Sequence, residues 1–196
     1  MASPHPMTRE QLAAVRDQAR EMAERTCFRQ AAAALAKVER LARQTFGSTD
    51  GDVLQVRHEL AQSLFESGDY RSAAPVYQGL AADLADSDLA DLLFECRQKA
   101  ASCHALTGNP GDALRELDEL LDDKRQFYGE TDPRTSELRK QIGLLQFGLG
   151  ERSAAQKTLF GLLDDLRLLP GSGTRADDLA KLLSNLGIDS PARGTV

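Results

Sequence analysis

The chain has 196 residues, 41% apolar and 28% charged, enough to bury a core without disulfides or metals. Aromatics make up only 5% and Trp is absent, while Ala and Leu are abundant, which favours helix over sheet. The formal net charge is −6 with Lys and Arg scattered and no basic stripe, which argues against nucleic acid as a partner.

Residues 1–7, within MASPHPMTREQ, read as a disordered tail; they hold no apolar stretch and hence no signal peptide. No run along the chain approaches the roughly 18 apolar residues of a membrane span, so a cytoplasmic chain that contacts no membrane is expected. Thr8 and Gln11 match a capping box and predict a helix start. Residues 8–45 read as a helix pair with a degenerate turn at Thr26, a turn recognisable only from the pairs that follow.

Those pairs share a register. Gly68, Gly108 and Gly150 each follow an apolar run, at spacings of 40 and 42 residues. Five residues after each stands Ala73, Ala113 or Ala155; nine after, Tyr77, Leu117 or Leu159; twelve after, Leu80, Leu120 or Leu162. Eight before stands Leu60, Ala100 or Ile142, followed by Ala61, Ala101 or Gly143. The glycine permits a tight turn, the small residues let two helices approach, and the larger residues fill the space between. Counted from Thr26, the same offsets fall on Ala31, Leu35 and Val38. The units are therefore placed at about 8–45, 50–84, 87–128 and 132–169, with Ser87 expected to cap the first helix of the third and Asp132–Pro133 opening the fourth. DLAKLLSNLG repeats the spacing of HELAQSLFESG, which predicts a closing helix over 175–186 and a flexible tail over 188–196. FGSTDGDVLQVR from Phe46 and YGETDPRTSELR from Tyr128 match without a gap, 82 residues apart.

Chemistry-bearing constellations are lacking. His5 lies in a tail, and His104 beside Cys103 has no second ligand pair, so no metal site is expected. Cys96 and Cys103 stand two helical turns apart, too far to bridge; with Cys27 they read as small buried hydrophobes in a reducing compartment. The acidic pairs at 122–123, 164–165 and 177–178 read as solvated helix ends, and GNPG at 108–111 as a turn without the residues of a phosphate loop. Eleven before each glycine stands Arg57, Arg97 or Arg139, and fifteen after stands Asp83, Asp123 or Asp165. An Asp at a helix C-terminus opposes the dipole, so each is expected to face an Arg at the open end of a hairpin. No catalytic residue and no cofactor is expected.

The stretch GDYRSAAPVYQGL resembles the turn and second helix of the tetratricopeptide repeat family. The unit of roughly 40 residues, with FG-x-TD before a first helix, is longer than the common repeat of about 34. It resembles the long-unit subclass of kinesin light chains and of actinobacterial regulators in which such a module often follows a Ser/Thr kinase domain. The resemblance covers about residues 9–187 and implies an all-α, right-handed solenoid of antiparallel helix pairs whose first helices line a concave peptide-binding groove. On that geometry the groove positions are Gln55, His58, Glu59, Gln62 and Phe65; Glu95, Gln98, Lys99 and Ser102; and Glu137, Lys140, Gln141, Leu144 and Phe147. The basic clamp of chaperone-binding members is missing, its positions carrying His58, Gln62, Lys99, Glu137 and Gln141. The acids with Phe65, Leu144 and Phe147 suit a segment with apolar anchors and some positive charge. The expected role is a protein–protein interaction scaffold; a regulatory module of, or partner to, a bacterial Ser/Thr kinase and a self-associating structural protein stay open as alternatives.

Overall fold

The structure, a computed structural model, describes residues 7–188; the tail expectations for 1–6 and 189–196, and His5 with them, lie outside the described residues. Nine helices and no strand are present among the described residues. They fall into two units, 1–109 and 110–196.

The first unit holds α1 (Arg9–Glu24), α2 (Phe28–Phe46), α3 (Gly51–Glu66), α4 (Tyr70–Leu84) and α5 (Ala90–Leu106). Thr8 and Gln11 close the capping box at α1, and the Asp50 side chain accepts from the backbone of Asp52 and Val53 to start α3. Each helix packs on its neighbour in sequence, and α1 also touches α3. Two core clusters result. One joins Leu12, Leu35 and Val53 from α1, α2 and α3; the other joins Ala61, Tyr77, Leu80 and Cys96 from α3, α4 and α5.

The second unit holds α6 (Pro110–Tyr128), α7 (Pro133–Gly148), α8 (Arg152–Leu168) and α9 (Gly173–Asn185). Asp132 caps α7 and Pro133 occupies its first turn. Here too each helix packs on the next, and Leu159, Leu162, Leu179 and Leu183 form the core of α8 and α9. Ile188 belongs to that core, at 6% exposure, although the sequence assigns it to the tail. The helix pair read over 87–128 is divided between the units, α5 in one and α6 in the other.

The register residues behave as their spacing requires. Ala61, Ala73, Ala101, Ala113 and Ala155 are each 0% exposed, and Gly143 is buried. At Gly143 an added Cβ would lie 2.5 Å from Leu159 Cγ, so the backbone of α7 runs directly over that leucine. The turns share one hydrogen-bond pattern, the Schellman closure. Gly68 N–H donates to Phe65 O and Asp69 N–H to Leu64 O; the same two bonds recur at Gly108, Gly150 and Gly187. They form at Thr26 as well, Thr26 N–H donating to Ala23 O and Cys27 N–H to Met22 O, with a Thr26 φ of 58°, so the degenerate turn holds a β-branched residue in the left-handed region.

Ser87 does not cap α5, which starts at Ala90 with no side-chain cap. Its hydroxyl donates instead to Leu84 O at 2.8 Å and accepts from Leu89 N–H at 3.3 Å, closing the end of α4.

Candidate functional site

In the first unit the groove positions lie on α3 and α5, and these two helices are linked through them. His58 Nε2 lies 3.1 Å from Glu95 Oε1, and Lys99 Nζ stands 4.2 Å from the centre of the Phe65 ring. Phe65 also meets Tyr70 edge-on at 5.2 Å and packs on the α3–α5 core, so it is a half-buried wall residue rather than a free anchor. Ser102 donates to the Gln98 carbonyl one turn back at 2.9 Å. Gln55 and Gln62 are exposed. In the second unit all five positions lie on α7: Glu137 bridges Lys140 at 2.7 Å, Gln141 is half-buried, and Leu144 and Phe147 are half-buried against the α8–α9 core.

Each unit presents a cleft that includes some of these residues. In the first, a cleft of about 320 Å³ between α1, α2 and α3 has Phe28, Leu35 and Ala19 as apolar lining and His58, Glu59 and Gln62 at one side. In the second, a cleft of about 470 Å³ between α7, α8 and α9 has Leu162, Leu166, Leu179 and Leu182 as lining, with Glu137 and Lys140 on one wall and Arg175 on another.

The acids are largely committed within the chain. Glu59 is held by Arg16 at 3.0 Å and Arg20 at 3.6 Å, Glu95 by His58 and Glu137 by Lys140. The arginines of α1 were not legible as groove elements in the sequence. Arg16 stands 43 residues before Glu59 and Arg9 the same distance before Asp52, so α1 reaches α3 through two Arg–carboxylate rungs. Hydrogen bonding to Arg9 is the main influence that holds the Asp50 carboxyl below its usual range, and Arg134 does the same for Asp132.

The Arg–Asp pairing takes a definite form in both units. Arg57, 3% exposed, bonds Asp83, with Glu39 of α2 at 3.7 Å on its other side. Arg139 donates to Asp165 at 2.7 Å and to Glu130 at 3.0 Å. Both guanidiniums rest on a glycine: a Cβ at Gly79 would lie 3.1 Å from Arg57 Nη2, and one at Gly161 3.5 Å from Arg139 Nη2. These glycines, 82 residues apart, are the sequence signal for a bulky side chain crossing the second helix. Arg97 lies on α5 and Asp123 on α6, one in each unit.

Burial is the first cause that raises the thiols of Cys96 and Cys103, to about 12 and about 11, and it raises the Tyr77 phenol as well. These groups are core, not nucleophiles. Among the described residues no group of three His, Cys, Asp or Glu side chains is placed to hold a metal ion, and no helix is long and apolar enough to cross a membrane.

No protein-family model matches the chain, and no curated protein matches it. Solved structures do. The chain is similar to TPR-like repeats, nearly identical to one another, of a Podosopora anserina protein named for the kinesin light chain: 15% identity, a TM-score of 0.68, and coverage of 94% of this chain and 92% of that one. A single-substitution variant of that protein gives a TM-score of 0.69 at 15% identity, covering 94% and 97%. The fold is therefore an all-helical, TPR-like repeat.

Proposed function

We propose that the chain is a non-enzymatic, cytoplasmic scaffold that binds a peptide or helical segment of another protein along its first helices. The observation that carries this reading is the recurrence, in each unit, of an open cleft with an apolar lining beside residues of a first helix, α3 in one and α7 in the other. Apolar clefts edged by a few polar groups are the usual form of a binding site. Because Arg16 and Arg20 hold Glu59 and Lys140 pairs with Glu137, apolar anchoring rather than attraction of a basic segment dominates recognition. The resemblance of the long FG-x-TD units to kinase-associated regulators supports a narrower version, in which the bound segment belongs to a bacterial Ser/Thr kinase.

The test uses peptides selected from a random display library on the full chain. Gln62 is exposed at the α1–α3 cleft, so Gln62→Arg should leave the melting temperature unchanged and weaken the selected peptides. Phe65→Ala with Phe147→Ala should lower both affinity and stability, since both rings are half-buried. Selected peptides that ignore all three substitutions would place binding elsewhere.

A further inference from the structure

The α7–α9 cleft contains a cation that the fold leaves uncommitted. Of its two basic residues, Lys140 is neutralised by Glu137 at 2.7 Å. Arg175 makes no ion pair among the described residues. Its Nη2 donates to Ser172 Oγ at 2.6 Å, while its Nη1 is buried and has no acceptor. Asp178 lines the same cleft one turn further along α9, yet it is exposed and does not bridge Arg175.

A guanidinium N–H removed from water without an acceptor is unfavourable, and Arg does not escape by losing its proton. Nη1 itself is closed off from solvent, but the side chain lines the cleft and has no counter-charge, so an anion entering the cleft can pair with the guanidinium. The surroundings say what kind of anion: Leu162, Leu166, Leu179 and Leu182 line the cleft, so the group must bring apolar neighbours. Such walls strengthen a charge-assisted bond made between them. A volume of about 470 Å³ suits a few side chains rather than a free ion.

We propose that this cleft is a subsite for an aspartate or glutamate side chain flanked by leucine-sized residues in a partner protein, with Arg175 binding the carboxylate. The proposal rests on the peptide-binding reading above and assigns it a charge sign. That sign is opposite to the one the groove sequence suggests, because the acids counted there are occupied and Arg175 is not.

Two capped peptides decide it, acetyl-Leu-Leu-Glu-Leu-Leu-amide and its Gln counterpart, titrated calorimetrically into the full chain. The Glu peptide should bind about tenfold more tightly, the effect of one charged hydrogen bond. Arg175→Gln should abolish the difference, Arg175→Lys should keep part of it, and Asp178→Asn should widen it. Asp178 is exposed, so that last variant carries the test even if Arg175→Gln unfolds on circular dichroism. Equal binding of the two peptides overturns the proposal, as does a preference that survives Arg175→Gln in a folded protein. So does a Gln peptide with a free C-terminus that matches the Glu peptide, which would assign the site to a terminal carboxylate. A dimer in sedimentation that Arg175→Gln dissolves would assign it to a second copy and overturn it equally. If Gln62→Arg still weakens library peptides while the Glu–Gln difference is absent, the acidic subsite alone fails; if neither effect is seen, the binding reading fails with it.

Discussion

The hairpin α3–α4 and the hairpin α7–α8, 82 residues apart in sequence, solve one packing problem twice with different parts. Both turn at a glycine with positive φ, both bury an alanine five residues on, and both lay an arginine across a glycine to reach an aspartate. They differ in where the supporting charges originate. In the first, Arg9 from α1 stacks on Phe46 at 4.7 Å and bridges Asp50 at 2.8 Å. In the second, Arg134 of α7 itself stacks on Tyr128 at 3.6 Å and pairs with Asp132 at 2.9 Å. The spatial position of the cation is kept while its place in the sequence changes. The first hairpin is thereby tied to α1, two helices back, whereas the second supplies the cation itself and reaches Tyr128 at the end of α6.

The hardest test of the equivalence is the buried alanine. Ala73→Asp and Ala155→Asp each place an unpaired charge at a site of 0% exposure, and each should cost about 4 kcal/mol or more in urea unfolding. A tolerant member of the pair would mean that the two hairpins do not share a register.

The arginines should separate what the alanines make equal. The Arg57 side chain is 4% exposed and pairs with an Asp83 that is 29% exposed, whereas Arg139 is 11% exposed and its partners Asp165 and Glu130 are 50% and 47% exposed. Removing Arg57 strands more buried charge. Arg57→Ala should lose about 2–3 kcal/mol and Arg139→Ala about 1, read from the same denaturation curves. Equal losses would show that the depth of the pair is immaterial.

Much of this was legible because the fold repeats. The offsets around Gly68, Gly108 and Gly150 located the core alanines and leucines, since three copies of a small residue at one helical spacing demand a close approach. The Arg–Asp spacing was legible for the same reason. The groove was not: Phe65 reads as an anchor from its position, and only the structure places Tyr70 and Lys99 around its ring. The groove acids misled because their partners, Arg16 and Arg20 on α1, lie a full repeat upstream and form no local motif. Arg175 carried no signal, since its character comes from the carboxylate it lacks.

A smaller difference concerns the helix crossing. The first hairpin sets Ala61 in one core with Tyr77, and the second sets Gly143 against Leu159. Gly143→Ala would gain helix propensity of about 1 kcal/mol, but its Cβ would fall 2.6 Å from Leu159 Cδ2, and Leu159 is 0% exposed. Overpacking of about 1–3 kcal/mol outweighs the gain. A net loss of about 1 kcal/mol is expected by thermal unfolding, and a stabilised variant would show that α7 and α8 can part without cost.

The smallest effect concerns the turn itself and brings in a third hairpin, α1–α2. Its turn makes the same two backbone bonds as those at Gly68 and Gly150, yet Thr26 stands at the left-handed position with φ of 58°. The Thr26 hydroxyl donates only to the adjacent Arg25 carbonyl at 2.7 Å, so the side chain offers no long-range contact that compensates the strain. A non-glycine residue there costs roughly 1–2 kcal/mol, but glycine also enlarges the entropy of the unfolded chain by about half that amount. Thr26→Gly should therefore stabilise the protein by about 0.5–1 kcal/mol, seen as a rise in melting temperature. The reverse change isolates the backbone term, because a Cβ at Gly68 or Gly150 would meet nothing within 4 Å. Gly68→Thr and Gly150→Thr should each destabilise by a similar amount through conformation alone. If Thr26→Gly lowers the melting temperature while the other two behave as expected, the α1–α2 turn depends on the stiffness of threonine and is not a degenerate copy of the glycine turns.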